Sequence, residues 1–566
     1  MEPTAPFLPT ATQLHLESAG RHVGVRVNRG PLPNHNSLPP STGTWAQDTP
    51  LSLDEAEADN PHIIGPDMTN DNKVLADYLS TVNQNTGIMR LIRPPPGTHS
   101  GPVIFTKVQK RALGVSLNST LAASKLQVIE KLLEPWGLRL IQLYFAKVNP
   151  CFPLLDEVSF MNQFMNTKER ISPALLACLY AYTLTFWRYD SELSQHFCPD
   201  SRFTWNLASE ALHSELHLSP GISTITALLL NIGGRPTSSM IGNGILIGSA
   251  VSLSHSLGLN RNPLNWDIPE SEKYLRMKIW WSLLVHDGWS SLAYGTPPHI
   301  RKSQYDVPAP KLEYLNGHAS RDCDIAKVFI ALVRLTEVLY QYLEQIYTVD
   351  KTRDSIHHNI ECDLDDWVEN LDGRCRRIII RGTELDIPGA ANLRLAYLST
   401  RLLTSRIQLN SDKEALNADP VWIRNRYIQV RRTAEEIMLF TQELLEEQLD
   451  DFWLPVAAFT FSSTVTFLLR CALEIDDDST GLTRSSSLKM ARDLLASLRQ
   501  HREKFSWDLA DIALAQHTEV VEKLMAAPTV TPAGASTGVN VWPTFVPNTS
   551  VIDSLFPSIW DMMQTI

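Results

Sequence analysis

The chain has 566 residues, 43% of them hydrophobic and 20% charged. It is too long for one simple core, so two or more packed units are expected. Its formal net charge of −12 excludes a dominant basic nucleic-acid-binding surface, so contact with DNA is local or supplied by a partner. In chain order, the N-terminal "MEPTAPFLPTATQLHLE" has neither the basic region nor the apolar run of a signal peptide. Residues 1–120 read as a disordered, Pro-rich region. Thirteen of the 35 prolines precede residue 97, the acidic "DEAEADN" sits among them, and few apolar residues recur at any structural period.

From about Leu126 the texture becomes helical. "PWGLRLIQLYFAKVNP" places Leu140, Ile141, Tyr144, Phe145 and Val148 on one face, and Pro150 and Pro153 end it. Asp156 is an N-cap for "EVSFMNQFM", and Ser172-Pro173 is the N-cap and first position of a further helix. That helix, "ALLACLYAYTLTFW", is apolar nearly all round and should be central. Further helical patterns include "TWNLASEALHSEL", "ISTITALLLNI", "MIGNGILIGSAVSLSHSLGL" and "YLRMKIWWSLLVHDGWSSLAY", and they continue to "SLKMARDLLASLRQHREKF". A brief "RRIIIR", Arg376 to Arg381, is the sole strand-like run. The fold class is all-α, a multi-helix array over 121–525 with disordered N- and C-terminal tails.

Two apolar runs call for a membrane check. Phe452 to Leu469 has no charge, but five Ser/Thr and a proline interrupt it, and "SSMIGNGILIGSAVSLSHSLGL" is similar. Both read as buried helices. After Lys523 there is no Lys or Arg. Residues 526–566 read as a linker and an acidic-aromatic tail, "VIDSLFPSIWDMMQTI", whose composition suits an activation segment that folds into a coactivator groove.

The chemical constellations are sparse. The seven cysteines, from Cys151 to Cys471, are odd in number and scattered, which points to a reducing compartment. "GNGILIG", Gly242 to Gly248, lacks phosphate-loop spacing and reads as helix packing. His357, His358, Cys362 and Cys375 lack the paired spacing of a zinc site and read as a polar loop. Asp365, Asp366 and Glu369 in "DLDDWVEN" are similar to the aspartate-rich motif of terpene cyclases, which makes an all-α Mg-dependent enzyme the alternative function. That family's second metal motif has no counterpart, so a solvated acidic turn is the reading adopted. Asp287 continues the stripe of Met277, Trp280 and Leu284. With no partner acid, base or metal ligand in view, it reads as a buried carboxylate paired with an Arg or with backbone donors. Gly288 and Ser291 would let a neighbouring helix approach. No catalytic, cofactor-binding or metal residue is assigned, and no cofactor is expected.

Three segments together carry a resemblance. "LYFAKVNPCFPLLDEVSF" has an aromatic pair before a Pro-x-Phe-Pro segment, with Asn149 where a His is common. "AVSLSHSLGLNRNP" carries a His, Leu-Gly-Leu, a basic residue and a Pro. "YLRMKIWWSLLVHDGWSSLAYGTPPHI" has basic Arg276 and Lys278, Trp280-Trp281, Asp287 and Gly295-Thr296-Pro297, with Gly288 where an Arg often follows the acid. Over roughly 136–305 the chain resembles the regulatory middle homology domain of the fungal-specific transcription factor family, the zinc-cluster regulators. The resemblance implies a nuclear, non-enzymatic regulator of RNA polymerase II transcription. Its partners would be DNA, directly or through a partner transcription factor, and coactivator or mediator-type proteins; a homo- or heterodimer is left open, and no membrane is involved. The family's six-cysteine DNA-reading module has no counterpart in this sequence, whose first cysteine is Cys151. The run "KVQKR", Lys107 to Arg111, does not replace it. A scaffold or inhibitor of a related transcription factor is the remaining alternative.

Overall fold

The computed structural model describes residues 61–65, 67–69, 71, 74, 89–92, 103–107, 120–217, 220–234, 240–266, 268–315, 320–348, 360–414, 420–476 and 485–526. The C-terminal tail and most of the N-terminal region lie outside them. The described residues are overwhelmingly helical, so the all-α expectation holds. We number the helices α1 Leu121–Leu133, α2 Gly137–Lys147, α3 Glu157–Asn166, α4 Pro173–Thr183, α5 Ser201–Leu216, α6 Ile222–Ile232, α7 Met240–Ser256, α8 Glu270–Tyr294 and α9 Ser320–Tyr347. They continue with α10 Ile360–Glu369, α11 Gly373–Arg381, α12 Ala390–Glu414, α13 Pro420–Glu443, α14 Glu446–Leu449, α15 Ala457–Glu474, α16 Ser486–Phe505 and α17 Asp511–Ala526.

Helix starts follow local chemistry. Asp156 accepts from Ser159 N at 2.9 Å and caps α3. Ser172 Oγ accepts from Leu175 N at 3.1 Å and Pro173 follows it, as the Ser-Pro signal requires. Glu215 of α5 reinforces that start by accepting from Ser172 Oγ and Ala174 N. α4 is buried from Ala174 to Thr183, and α1, α2, α5 and α6 pack around it. It is the central helix its composition demands.

Two hydrophobic cores result. The first gathers α1 to α11 with Phe452. The second gathers α12, α13 and α15 to α17 around Trp453 and Trp507, whose rings meet edge-on at 5.4 Å. α12 serves both, contributing Leu393 and Ala396 to the first and Leu395 and Leu398 to the second. The charge-free stretch Phe452 to Leu469 is not one rod: it turns before α15 starts at Ala457. No helix among the described residues is long and apolar enough to cross a membrane.

Two segments differ from what their sequence suggests. "RRIIIR" is not a strand but most of α11. Asp372 caps its start by accepting from Arg374 N, and Gly382, at φ 66°, ends it in the left-handed conformation. Cys375, Ile378 and Ile379 then fall on one buried face while Ile380 is exposed. Caps and a spacing of three and four outweigh the β preference of three isoleucines. Within 1–120, three short segments pair as an antiparallel sheet, β1 Pro61–Ile63, β3 Val103–Lys107 and β2 Met89–Ile92, with β3 in the middle. Phe105 of β3 packs edge-on to Trp266 at 5.6 Å, with Ile268 beside them. The sheet rests on the Leu257-Gly258-Leu259 turn. Gly258 has φ +66°, and a Cβ there would stand 3.0 Å from Ile63 and 3.1 Å from Phe105. Both the conformation and the closeness require glycine.

Candidate functional site

The long helix α8 organises the most distinctive part of the molecule. Every residue from Leu275 to Ser291 is buried. Glu270 and Glu272 open it, where the helix dipole favours acids. Glu272 Oε1 accepts from the Arg276 guanidinium at 2.9 Å, both side chains being enclosed. Arg276 also donates to the Leu257 carbonyl at 3.0 Å and lies over the Trp266 and Phe105 rings. The basic residue is thereby a strut between α8, the Leu-Gly-Leu turn and the sheet.

Further along, Trp281 donates from Nε1 to the Pro308 carbonyl at 3.0 Å and stacks on Tyr314. Trp289 donates to Thr336 Oγ1 of α9 at 2.9 Å. Gly288 lets α9 close in: a Cβ there would meet Thr336 and Tyr340 at 3.1 Å each. An Arg in its place could not fit. His286 is neutral, burial pushing it down to about 3, and its ring lies edge-on to Phe152. Gly295, at φ 69°, ends α8 in the left-handed region.

Asp287 sits just before that end and is 1% exposed. Its Oδ1 accepts from His299 N at 3.0 Å and from His299 Nδ1 at 2.8 Å. Its Oδ2 accepts from Ile300 N at 2.9 Å and from Tyr340 OH at 2.8 Å. Backbone donors were expected, but the alternative Arg partner is not there; histidine and tyrosine complete the set. The hydrogen bond to Asp287 raises the His299 pKa against the opposing effect of burial. Burial, then the Asp287 charge, holds the Tyr340 phenol well above its usual range, so it remains a donor.

With four donors on two oxygens, Asp287 is saturated. The His299 ring lies against Gly248 of α7, where a Cβ would stand 3.2 Å from Nε2. That explains one glycine of "GNGILIG" by close packing; Gly244 meets no such neighbour. Among the described residues no Ser, Thr or Cys side chain is hydrogen-bonded to His299 Nε2, as the nucleophile of a hydrolytic triad would be. What the arrangement does is pin the Gly-Thr-Pro-Pro loop and α9 to the end of α8.

The entry loop is built on the same logic. Asn149, standing where a His is common, accepts at Oδ1 from Leu154 N at 3.2 Å and Leu155 N at 3.1 Å. Its Nδ2 donates to the Leu155 carbonyl at 3.1 Å. It clips the Pro-Cys-Phe-Pro turn to the end of α2.

The other candidates do not assemble. Asp365, Asp366 and Glu369 lie exposed on α10, whose Leu364 and Trp367 face the core. Cys362 is exposed, Cys375 is buried with its thiol pushed up to about 12, and His357 and His358 lie outside the described residues. Among the described residues no three His, Cys, Asp or Glu side chains gather as a metal site. Of "KVQKR", residues 108–111 lie outside the described residues.

The fungal specific transcription factor domain matches residues 141–375, from α2 into α11 and so across the entry loop, the Leu-Gly-Leu turn and the Asp287 knot. An uncharacterized transcriptional regulatory protein of Schizosaccharomyces pombe is 28% identical over 63% of this chain and 53% of its own length. A transcriptional activator protein of Saccharomyces cerevisiae is 28% identical over 31% of the chain and 18% of its own. Cutinase transcription factor 1 alpha of Fusarium vanettenii is 22% identical over 71% and 46% respectively. The chain thus spans about half the length, or less, of these relatives. No solved structure matches. Over residues 141–375, then, this chain is similar to the fungal specific transcription factor domain.

Proposed function

We propose that the chain regulates RNA polymerase II transcription in a fungus and acts in the nucleus. The observation that carries this is the match over residues 141–375, joined to relatives whose names are those of transcriptional regulators and activators. The regulatory unit in this reading extends over 121–525, because α12 contributes buried residues to both cores. A fold cut at the end of the matched segment would remove most of α11 and leave bare the face of α9 that packs on α12. The role is non-enzymatic, transmitted through helix packing around α8. DNA is reached through a partner transcription factor more than through this surface, since the net charge is −12. Residues 527–566, outside the described residues, supply the contact with coactivator or mediator-type proteins in this proposal. Their sequence offers Leu555, Phe556, Ile559 and Trp560 beside Asp553 and Asp561, with no cation.

Tethering tests the proposal. The whole chain, fused to an unrelated DNA-binding domain, is expected to change a reporter's output. The change should shrink when residues 527–566 are removed or when Phe556 and Trp560 are replaced by Ala. A well-expressed, nuclear fusion that leaves the reporter unchanged would instead support a scaffold or inhibitor.

A further inference from the structure

A cavity of about 250 Å³ lies where α8, α12 and α15 meet, at the seam between the two hydrophobic cores. Its walls are largely apolar, with Trp289 and Leu292 of α8, Leu395 and Leu402 of α12 and Phe459 of α15. A line of polar groups runs along the α12–α15 contact. Thr460 and Ser399 hydroxyls lie 3.2 Å apart, and beyond them Arg406 Nη1 donates to Ser463 Oγ at 2.7 Å.

Arg406 is the unusual member. Its guanidinium carries five N–H donors, of which one hydrogen bond to a protein atom is seen, alongside a ring contact with Phe467. Burial lowers its pKa, the like charge of Arg470 lowers it further, and among the described residues no carboxylate pairs with it. Other half-buried arginines of this chain are differently placed. Arg401 forks onto Glu436 at 2.9 Å twice, Arg431 meets Asp476 at 3.2 Å, and Arg394 closes the last carbonyls of α11. A half-buried cation without an anion is costly unless something supplies one. A cavity opens beside it.

We propose that this cavity binds a small organic monocarboxylate with a compact apolar body, its carboxylate held by Arg406 and its body seated among Trp289, Leu292, Leu395 and Phe459. The guanidinium fork matches a carboxylate in a bidentate pair. A phosphate or dicarboxylate is disfavoured, because a second negative charge would face an apolar wall. Size agrees: a cavity of roughly 150 Å³ takes benzene, so this one has room for a substituted ring or a medium chain. The ligand would touch the helix that carries Asp287 and the helix shared by both cores. The site stands whether or not the chain regulates transcription.

Isothermal titration of the full chain with phenylacetate, 3-phenylpropionate and octanoate, set against phenylacetamide and 1-octanol, tests this. At least one carboxylate is expected to bind at one site per chain, and its uncharged counterpart at least about tenfold more weakly. Arg406→Gln is expected to weaken the carboxylate by at least about tenfold and to leave the uncharged compound's binding unchanged. Ala293→Phe, which fills the cavity from α8, is expected to abolish both, and it decides the matter if Arg406→Gln fails to fold. Absence of binding by all three carboxylates, equal binding by Arg406→Gln, or undiminished binding by a folded Ala293→Phe would overturn the proposal.

Discussion

Asp287→Ala is expected to destabilise the chain by about 3–5 kcal/mol, the range for breaking a buried, hydrogen-bonded charge. The loss is large because four donors share this carboxylate: the His299 and Ile300 amides, the His299 ring and the Tyr340 hydroxyl. Without it the Ile300 amide has no replacement unless the loop shifts to admit water, and the Tyr340 hydroxyl keeps only its longer contact with the Leu284 carbonyl at 3.3 Å. Asp287→Asn keeps one acceptor oxygen and turns the other into a donor that faces donors, so it should cost less than Ala but still more than about 1 kcal/mol. Urea melts measure both. The His299 contribution has a defined sign with pH. Its folded pKa is raised, so its stabilisation is fully present below the unfolded value near ~6.5 and is lost as pH rises through the folded value. The stability gap between wild type and His299→Gln should therefore be wider at about pH 6 than at about pH 8. In the Asp287→Ala background that pH dependence should vanish. An identical gap at both pH values would show that the histidine does not answer to Asp287.

Trp281→Ala is expected to cost about 3–5 kcal/mol, as for other large aromatic truncations in cores. The side chain is 2% exposed. Its removal opens a void beside Tyr314 and leaves the Pro308 carbonyl without its indole donor. The segment after α8 should loosen, and protection of its amides from hydrogen exchange should fall before that of α4. A melt identical to wild type, together with a changed reporter in the tethering assay, would instead make Trp281 a contact for a partner.

Much of this architecture is legible in the sequence because it is encoded locally. Ser172-Pro173 and Asp156 start helices by chemistry acting within three residues. The all-apolar run after Ser172 has to be central wherever it ends up. The position of Gly288 in the α8 stripe announces close approach, and α9 takes it. What fails to show is what depends on distant partners. Tyr340 is 53 residues from Asp287, and no spacing links them. Arg276 reads as one basic residue among others; its enclosure by Glu272, Leu257 and Trp266 is a tertiary fact. The sheet is invisible for the same reason. Its strands are three to five residues long, and the apolar surface that holds Phe105 lies more than 150 residues downstream. Arg406 is the extreme case, since the missing carboxylate that makes it notable leaves no trace in the sequence.

In the function we propose, this chain works at promoters. Chromatin immunoprecipitation of the tagged protein expressed from its own locus, paired with transcript profiles of a strain lacking it, tests that most directly. The expected result is enrichment at a defined set of promoters whose transcripts change when the gene is removed. A protein found on no promoter, in cells whose transcripts do not change without it, would contradict the account.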